Sequence, residues 1–195
     1  DTEVITPDWL DEMVSRLMQP GIGVVGAKLY FSDGRVQHAG DVVGPGGCAH
    51  HLHGPLAGDE PGYMDRAVLA QDLSAVTAAC LLTSRELYQS LGGLDEKNLA
   101  VAFNDVDYCL RVREKGLRVI FTPFAELYHH ESVSRGKDAS PEKKARAKRE
   151  VAYMRSRWAH VMRHDPFYNP NLSYVRPDFS LSPAPMVRKP WRRFS

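Results

Sequence analysis

The chain has 195 residues, and its 25 Lys and Arg nearly balance 24 Asp and Glu, giving a formal charge of +1. That balance makes no field strong enough for nucleic acid to be the main partner, and 43% hydrophobic with 25% charged residues is the composition of a chain that buries one ordinary core. No apolar run approaches the roughly 20 residues that span a bilayer, no signal peptide is read at the start, and Cys48, Cys80 and Cys109 lie far apart without a CxxC pair, which suits a reducing cytoplasm better than a disulfide framework.

The first residues, Asp1-Thr2-Glu3-Val4-Ile5, read as the end of a strand already under way, the start expected of a fragment. After Pro7, apolar residues at Leu10, Met13, Val14, Leu17 and Met18 predict an amphipathic helix, with Asp8 as its cap and Pro20-Gly21 as its stop. Ile22 to Phe31 predicts a strand turning at Ser32-Asp33-Gly34, and Arg35 to His38 is expected to return antiparallel. From Gly40 to Gly62 the chain is rich in Gly, Pro and His with neither period, so a long loop is expected, of the kind that serves as a lid. Leu73 to Thr83 predicts a buried strand, and Ser84 to Leu91 a short helix closed by Gly92-Gly93.

Asn104 to Lys115 predicts a helix stopped by Gly116. Leu117 to Phe121 then predicts a strand broken by Pro123, and Leu127-Tyr128-His129-His130 ends this unit. Helices and strands alternate, so the fold class is α/β. Pro141 to Met162 predicts a last helix, basic at Lys143, Lys144, Arg146, Lys148 and Arg149 and apolar at Val151, Met154, Trp158 and Val161. It reads as a solvated face over a packed stripe, with contact to anionic lipid or an acidic ligand as the alternative. Beyond Asp165 an extended, Pro- and aromatic-rich tail is expected to cross the body.

Chemistry concentrates at Gly92-Gly93-Leu94-Asp95-Glu96 and Phe103-Asn104-Asp105-Val106-Asp107-Tyr108-Cys109-Leu110-Arg111. Asp105 lies among Phe103, Val106, Leu110 and Val112, a pattern that draws a carboxylate toward a partly buried place, where acids serve chemistry or an ion pair. Asp107 has the i, i+4 spacing for a pair with Arg111. His50, His51 and His53 invite a zinc reading, but Cys48 is the one nearby thiol and the spacing is poor.

In this order the motifs resemble the second half of a family-2 glycosyltransferase, the inverting nucleotide-sugar enzymes of the GT-A fold. Asp1-Thr2-Glu3-Val4 fits the trailing part of the family's metal-binding strand end, with only the last acid present. The likeness continues through Pro7-Asp8-Trp9-Leu10, Asp33-Gly34-Arg35-Val36-Gln37-His38-Ala39-Gly40 and Ala75-Val76-Thr77-Ala78-Ala79-Cys80-Leu81-Leu82. It then runs through the double-glycine segment, Asn104-Asp105-Val106-Asp107 and Pro123 to His129, with Ser134 behind, while Asp165-Pro166-Phe167-Tyr168-Asn169-Pro170-Asn171-Leu172 resembles the end of bacterial polysaccharide-assembly members. Where the family usually has Glu-Asp this chain has Asn104-Asp105, so one acid is missing and the acid used as base remains.

The resemblance implies a partial GT-A fold, a mixed sheet flanked by helices, with the N-terminal nucleotide-binding half missing. It implies an acceptor-side, catalytic-base part over 1–138, followed by the basic amphipathic helix over 139–164 and the tail over 165–195. It implies sugar transfer from a nucleotide-sugar donor to a glycan or lipid-linked acceptor, with inversion and with Asp105 as general base. A divalent Mg or Mn ion would bridge the phosphates, held by Asp1 and His129 with His130 as the alternative ligand. Gly92, Gly93, Asp95 and Glu96 would floor the sugar site, Asn104 and Asp107 would flank it, and Trp9 or Tyr63 would offer a stacking platform. A cytoplasmic protein at the inner membrane surface, with a homodimer through the truncated face, completes the expectation. The rival readings are an inactive folded module that binds glycan, partner or membrane, and a metal hydrolase.

Overall fold

A computed structural model describes residues 1–54, 56–130 and 140–184; Ser134 of the resemblance lies outside them, as does the tail beyond 184. Strands are β1 (Thr2–Val4), β2 (Ile22–Tyr30), β3 (Val36–His38), β4 (Asp41–Val43), β5 (Ala49–His51), β6 (Gln71–Asp72), β7 (Leu81–Thr83) and β8 (Arg118–His129). Helices are α1 (Trp9–Leu17), α2 (Arg85–Ser90), α3 (Asn104–Glu114) and α4 (Pro141–Arg163).

A mixed sheet is built on the parallel pair β2 and β8. β1 and β6 run antiparallel along the outer edge of β8, and β3 and β7 antiparallel along that of β2. Because side chains alternate across a strand, the sheet buries two different faces. Val25, Ala27 and Leu29 of β2 meet Ile120 and Leu127 of β8 under Met13 of α1. Val24, Val119 and Phe121 face the other way, toward Val106 and Leu110 of α3 and Met154 and Trp158 of α4. Asp105 opens α3 on this second side.

The structure corrects several expectations. Asp8 precedes α1 but makes no side-chain cap bond. Pro123 does not break its strand, because the β2–β8 register jumps between the pairs Ala27–Thr122 and Lys28–Glu126, and Pro123 sits in that bulge, where no ladder N–H is needed. The stretch Leu73 to Thr83 is not one strand: it runs from β6 through a short 3₁₀ turn at Ala78–Cys80 into β7. The expected loop from Gly40 contains a hairpin, β4 paired with β5, whose strands of three residues are too short to show a period.

Gly40 sets the entry to that hairpin. Its φ is +95°, and an added Cβ would lie 1.9 Å from Leu73 Cδ1 in the core. Gly40→Ala is therefore expected to destabilise the fold by about 1–3 kcal/mol, read as a lower urea midpoint at unchanged slope.

The tail is anchored by a buried carboxylate. Asp165 accepts hydrogen bonds from Val43 N at 2.7 Å, Ser74 Oγ at 2.8 Å and Phe167 N at 2.8 Å, and Tyr168 and Leu172 join the core. Among the described residues no helix is long and apolar enough to cross a membrane.

Candidate active site

Helix α3 starts where Phe103 takes a left-handed φ of 64°, which turns the chain and aims the first helical carboxylate inward. Asp105 Oδ2 accepts from Ala78 N at 3.0 Å and from Thr77 Oγ1 at 3.3 Å, and Oδ1 accepts from Val106 N at 2.9 Å. Burial and, next, the charge of Asp41 push its carboxyl above the usual carboxylate range, against the pull of these three donors. The helix N-terminus alone would shift it downward; desolvation outweighs it here, and a more basic carboxylate results.

Asp41 belongs to a second group. The β4–β5 register sets Asp41 opposite His51, so both side chains share one face of the hairpin, and His38 at the end of β3 meets them. His51 Nδ1 lies 2.6 Å from Asp41 Oδ1 and 3.0 Å from His38 Nδ1, and His38 Nδ1 lies 3.6 Å from Asp41 Oδ1. His38 Nε2 accepts from Thr77 N at 3.4 Å, so Thr77 touches both this group and Asp105. Burial pushes the His38 pKa down to about 3, against the nearby Asp41 charge. Burial works to raise Asp41, yet the two imidazoles bring it to rest below its ordinary value.

The run His50, His51, His53 does not assemble as a zinc cluster. Strand alternation turns His50 from His51, leaving its Nε2 3.2 Å from Gly46 O, while His53 is stacked on Phe179 at 4.6 Å. Only His51 joins a group of potential ligands, and its partners are His38 and Asp41.

At the end of β8, Thr2 pairs with His129, and His130 N donates to Asp1 O at 2.9 Å. The Gln37 amide grips His129 twice: Nε2 donates to His129 O at 3.2 Å, and Oε1 accepts from Nδ1 at 2.7 Å. This fixes the proton on Nδ1 and leaves Nε2 as the lone-pair nitrogen, the state a metal ligand needs. His130 is engaged at both nitrogens, with Ser32 Oγ at 2.8 Å and Glu3 Oε2 at 3.1 Å. With Thr2 paired to His129 and His130 N donating to Asp1 O, Asp1 lies across the strands beside His130 rather than His129. His129 is also near enough for its charge to depress the pKa of His38.

Gly92, Gly93, Asp95 and Glu96 line an open cleft of about 380 Å³ together with Arg111 and Arg157. Gly92 and Gly93 have φ of 76° and 69°, as expected of a left-handed helix stop. Asp95 is turned to its own loop and to α4, accepting from Asn98 N at 3.0 Å and from Tyr153 Oη at 2.9 Å. Asp107 is fully buried, accepting from Arg111 Nε at 2.7 Å and Trp158 Nε1 at 2.9 Å, the first being the pair its spacing predicts. Asn104 opens α3 beside Asp105. Trp9 packs with the α1 cluster on the opposite face of the sheet from Asp105, and Tyr63 stacks on Phe179 at 4.6 Å.

His38, Asp41 and Thr77 carry no role in the sequence reading. The available signal was a polar residue set inside an apolar run, as Thr77 follows Ala75-Val76 and His38 precedes Ala39.

Residues 1–159 match the family described as Glycosyltransferase like family 2. The chain is 56% identical over 182 residues to the uncharacterized protein y4gI of Sinorhizobium fredii, covering 93% of this chain and 20% of that protein. It is 40% identical over 190 residues to the O-antigen biosynthesis protein RfbC of Myxococcus xanthus, covering 95% of this chain and 14% of that one. Against the N-acetylglucosaminyl-diphospho-decaprenol L-rhamnosyltransferase of Mycobacterium tuberculosis the identity is 28% over 119 residues, covering 60% of this chain and 36% of the enzyme. The chain thus spans well under half the length of these curated relatives. With the family match running through β8 and most of α4, and with the mixed sheet and its flanking helices in place, this chain belongs to glycosyltransferase family 2.

Proposed function

We propose that this part of a family-2 glycosyltransferase carries the catalytic base of an inverting transfer from a nucleotide sugar to a glycan or lipid-linked acceptor. The observation that carries the reading is Asp105: a carboxylate at the start of α3, fixed by Thr77 and Ala78 and made more basic by burial. Asp105 takes the proton from the acceptor hydroxyl as that oxygen attacks the anomeric carbon, and the carbon–oxygen bond to the nucleotide breaks on the opposite face. Thr77 and Ala78 hold one carboxylate oxygen, so the base enters the reaction already oriented.

By the family resemblance, Asp1 with His129 or His130 would hold a divalent cation, which when bound supplies positive charge to the departing diphosphate. Gln37 keeps His129 in the ligating tautomer. The cleft at Gly92 to Glu96 is lined by Asp95, Glu96, Lys97 and Arg157, which suits a hydroxyl-rich acceptor. The rhamnosyltransferase and O-antigen names of the relatives support surface-polysaccharide assembly as the setting.

The test is the configuration of the product. Transfer with manganese or magnesium is expected to give the anomer opposite to the donor's, read from the coupling constant of the new anomeric proton. A product of retained configuration would overturn the reading.

A further inference from the structure

We propose that His38, Asp41 and His51 form a binding site for a transition-metal dication, zinc in the first place, separate from the cation of the sugar donor. Three potential ligand atoms converge from β3 and from both strands of the β4–β5 hairpin, with separations of 2.6, 3.0 and 3.6 Å. Donors around a tetrahedral zinc ion at about 2.0–2.1 Å would be about 3.3 Å apart, and the observed edges bracket that value. Two imidazoles and one carboxylate on one face, with the fourth position left to water, is a donor set that favours zinc over magnesium.

Protons alone satisfy this group poorly. The N–H of Thr77 points at His38 Nε2, so the neutral ring carries its own proton on Nδ1, toward His51 and Asp41. If His51 Nδ1 is protonated toward Asp41, two N–H groups face each other at 3.0 Å. If it is not, a nitrogen lone pair faces a carboxylate oxygen at 2.6 Å. A dication at the centre would take all three lone pairs at once. Binding would move the His38 proton to Nε2 and give up the long Thr77 contact, exchanging a weak hydrogen bond for a metal–nitrogen bond.

Charge and access agree with this assignment. Asp41 is 4% exposed, and among the described residues the ion pairs that reach it come from His38 and His51. A dication at the centre would set a permanent positive charge beside this buried carboxylate. The side chain of His51 is about half exposed, at 48%, so an ion can enter from solvent along the hairpin.

Cobalt(II) reports the site without any assay of sugar transfer. Protein stripped with a chelator is expected, on addition of cobalt, to develop the intense visible absorption of one tetrahedral site, and one equivalent of zinc should abolish that absorption. His51→Ala and Asp41→Asn should each weaken cobalt binding by at least about tenfold, whereas His50→Ala should leave it unchanged. His51 lies at the surface, so its variant separates lost ligation from lost folding, checked by circular dichroism. Absence of the tetrahedral spectrum overturns the proposal. So does tetrahedral binding that survives His51→Ala at native strength, or that is lost in His50→Ala.

Discussion

Asp105→Asn is expected to lower kcat/KM for sugar transfer by about 10²–10⁴-fold, the span that a positioned general base contributes, with nucleotide binding measured by calorimetry unchanged. The amide is nearly isosteric and its oxygen can still accept from Ala78 N and Thr77 Oγ1, so the substitution removes basicity more than shape. Transfer retained at the native rate would take Asp105 out of the role. The pH profile gives an independent check. The carboxylate acts as base only when ionised, and its pKa is raised by burial first and by Asp41 second, so activity is lost as pH falls through that raised value. The acid limb of kcat/KM should therefore lie above the ordinary aspartate pKa of about 3.9. Thr77→Val removes a donor that favours the charged form, and should move the limb to still higher pH.

Asp107→Ala is expected to cost about 3–5 kcal/mol of folding stability, the range found when one partner of a buried ion pair is deleted. Asp107 has no exposed surface, and it ties together three parts of the fold. Its carboxylate accepts from Arg111 Nε and Trp158 Nε1, and Arg157 Nε approaches it at 3.4 Å. Arg111 in turn donates to Leu91 O at 2.6 Å and Gly93 O at 2.7 Å. Deleting the carboxylate leaves the indole N–H unpaired in the core and the guanidinium without its counter-charge. Urea unfolding of the variant should show a large fall in midpoint, and Asp107→Asn, which keeps an acceptor for Trp158, should lose less. Equal losses would mean that the charge contributes nothing beyond the hydrogen bond.

Much of the architecture was legible wherever a residue's partners are close in sequence or a period repeats often enough to register. The helices at Trp9–Leu17, Asn104–Glu114 and Pro141–Arg163 follow from apolar spacing and glycine or proline punctuation, and the Asp107–Arg111 pair follows from one helical turn. The strand through Pro123 was misread because proline's missing N–H forbids a ladder bond only where the ladder is regular, and here it falls in a bulge. The β4–β5 hairpin escaped notice because Asp41 and His51 are opposed by pairing, which composition does not encode.

The amino-acid string determined by itself where carboxylates and glycines stand along the chain, and hence the kinship and the candidate base at position 105. It also supplied the locally bonded turn at Gly92-Gly93. Only the tertiary structure decided which groups meet: Thr77 reaching Asp105, Gln37 fixing the tautomer of His129, and His38 brought from β3 to Asp41 and His51. The physical reason is that these contacts join residues on separate strands, loops and helices. Their geometry and their shifted proton affinities arise from desolvation and neighbouring charge, which exist only once the chain has closed around them.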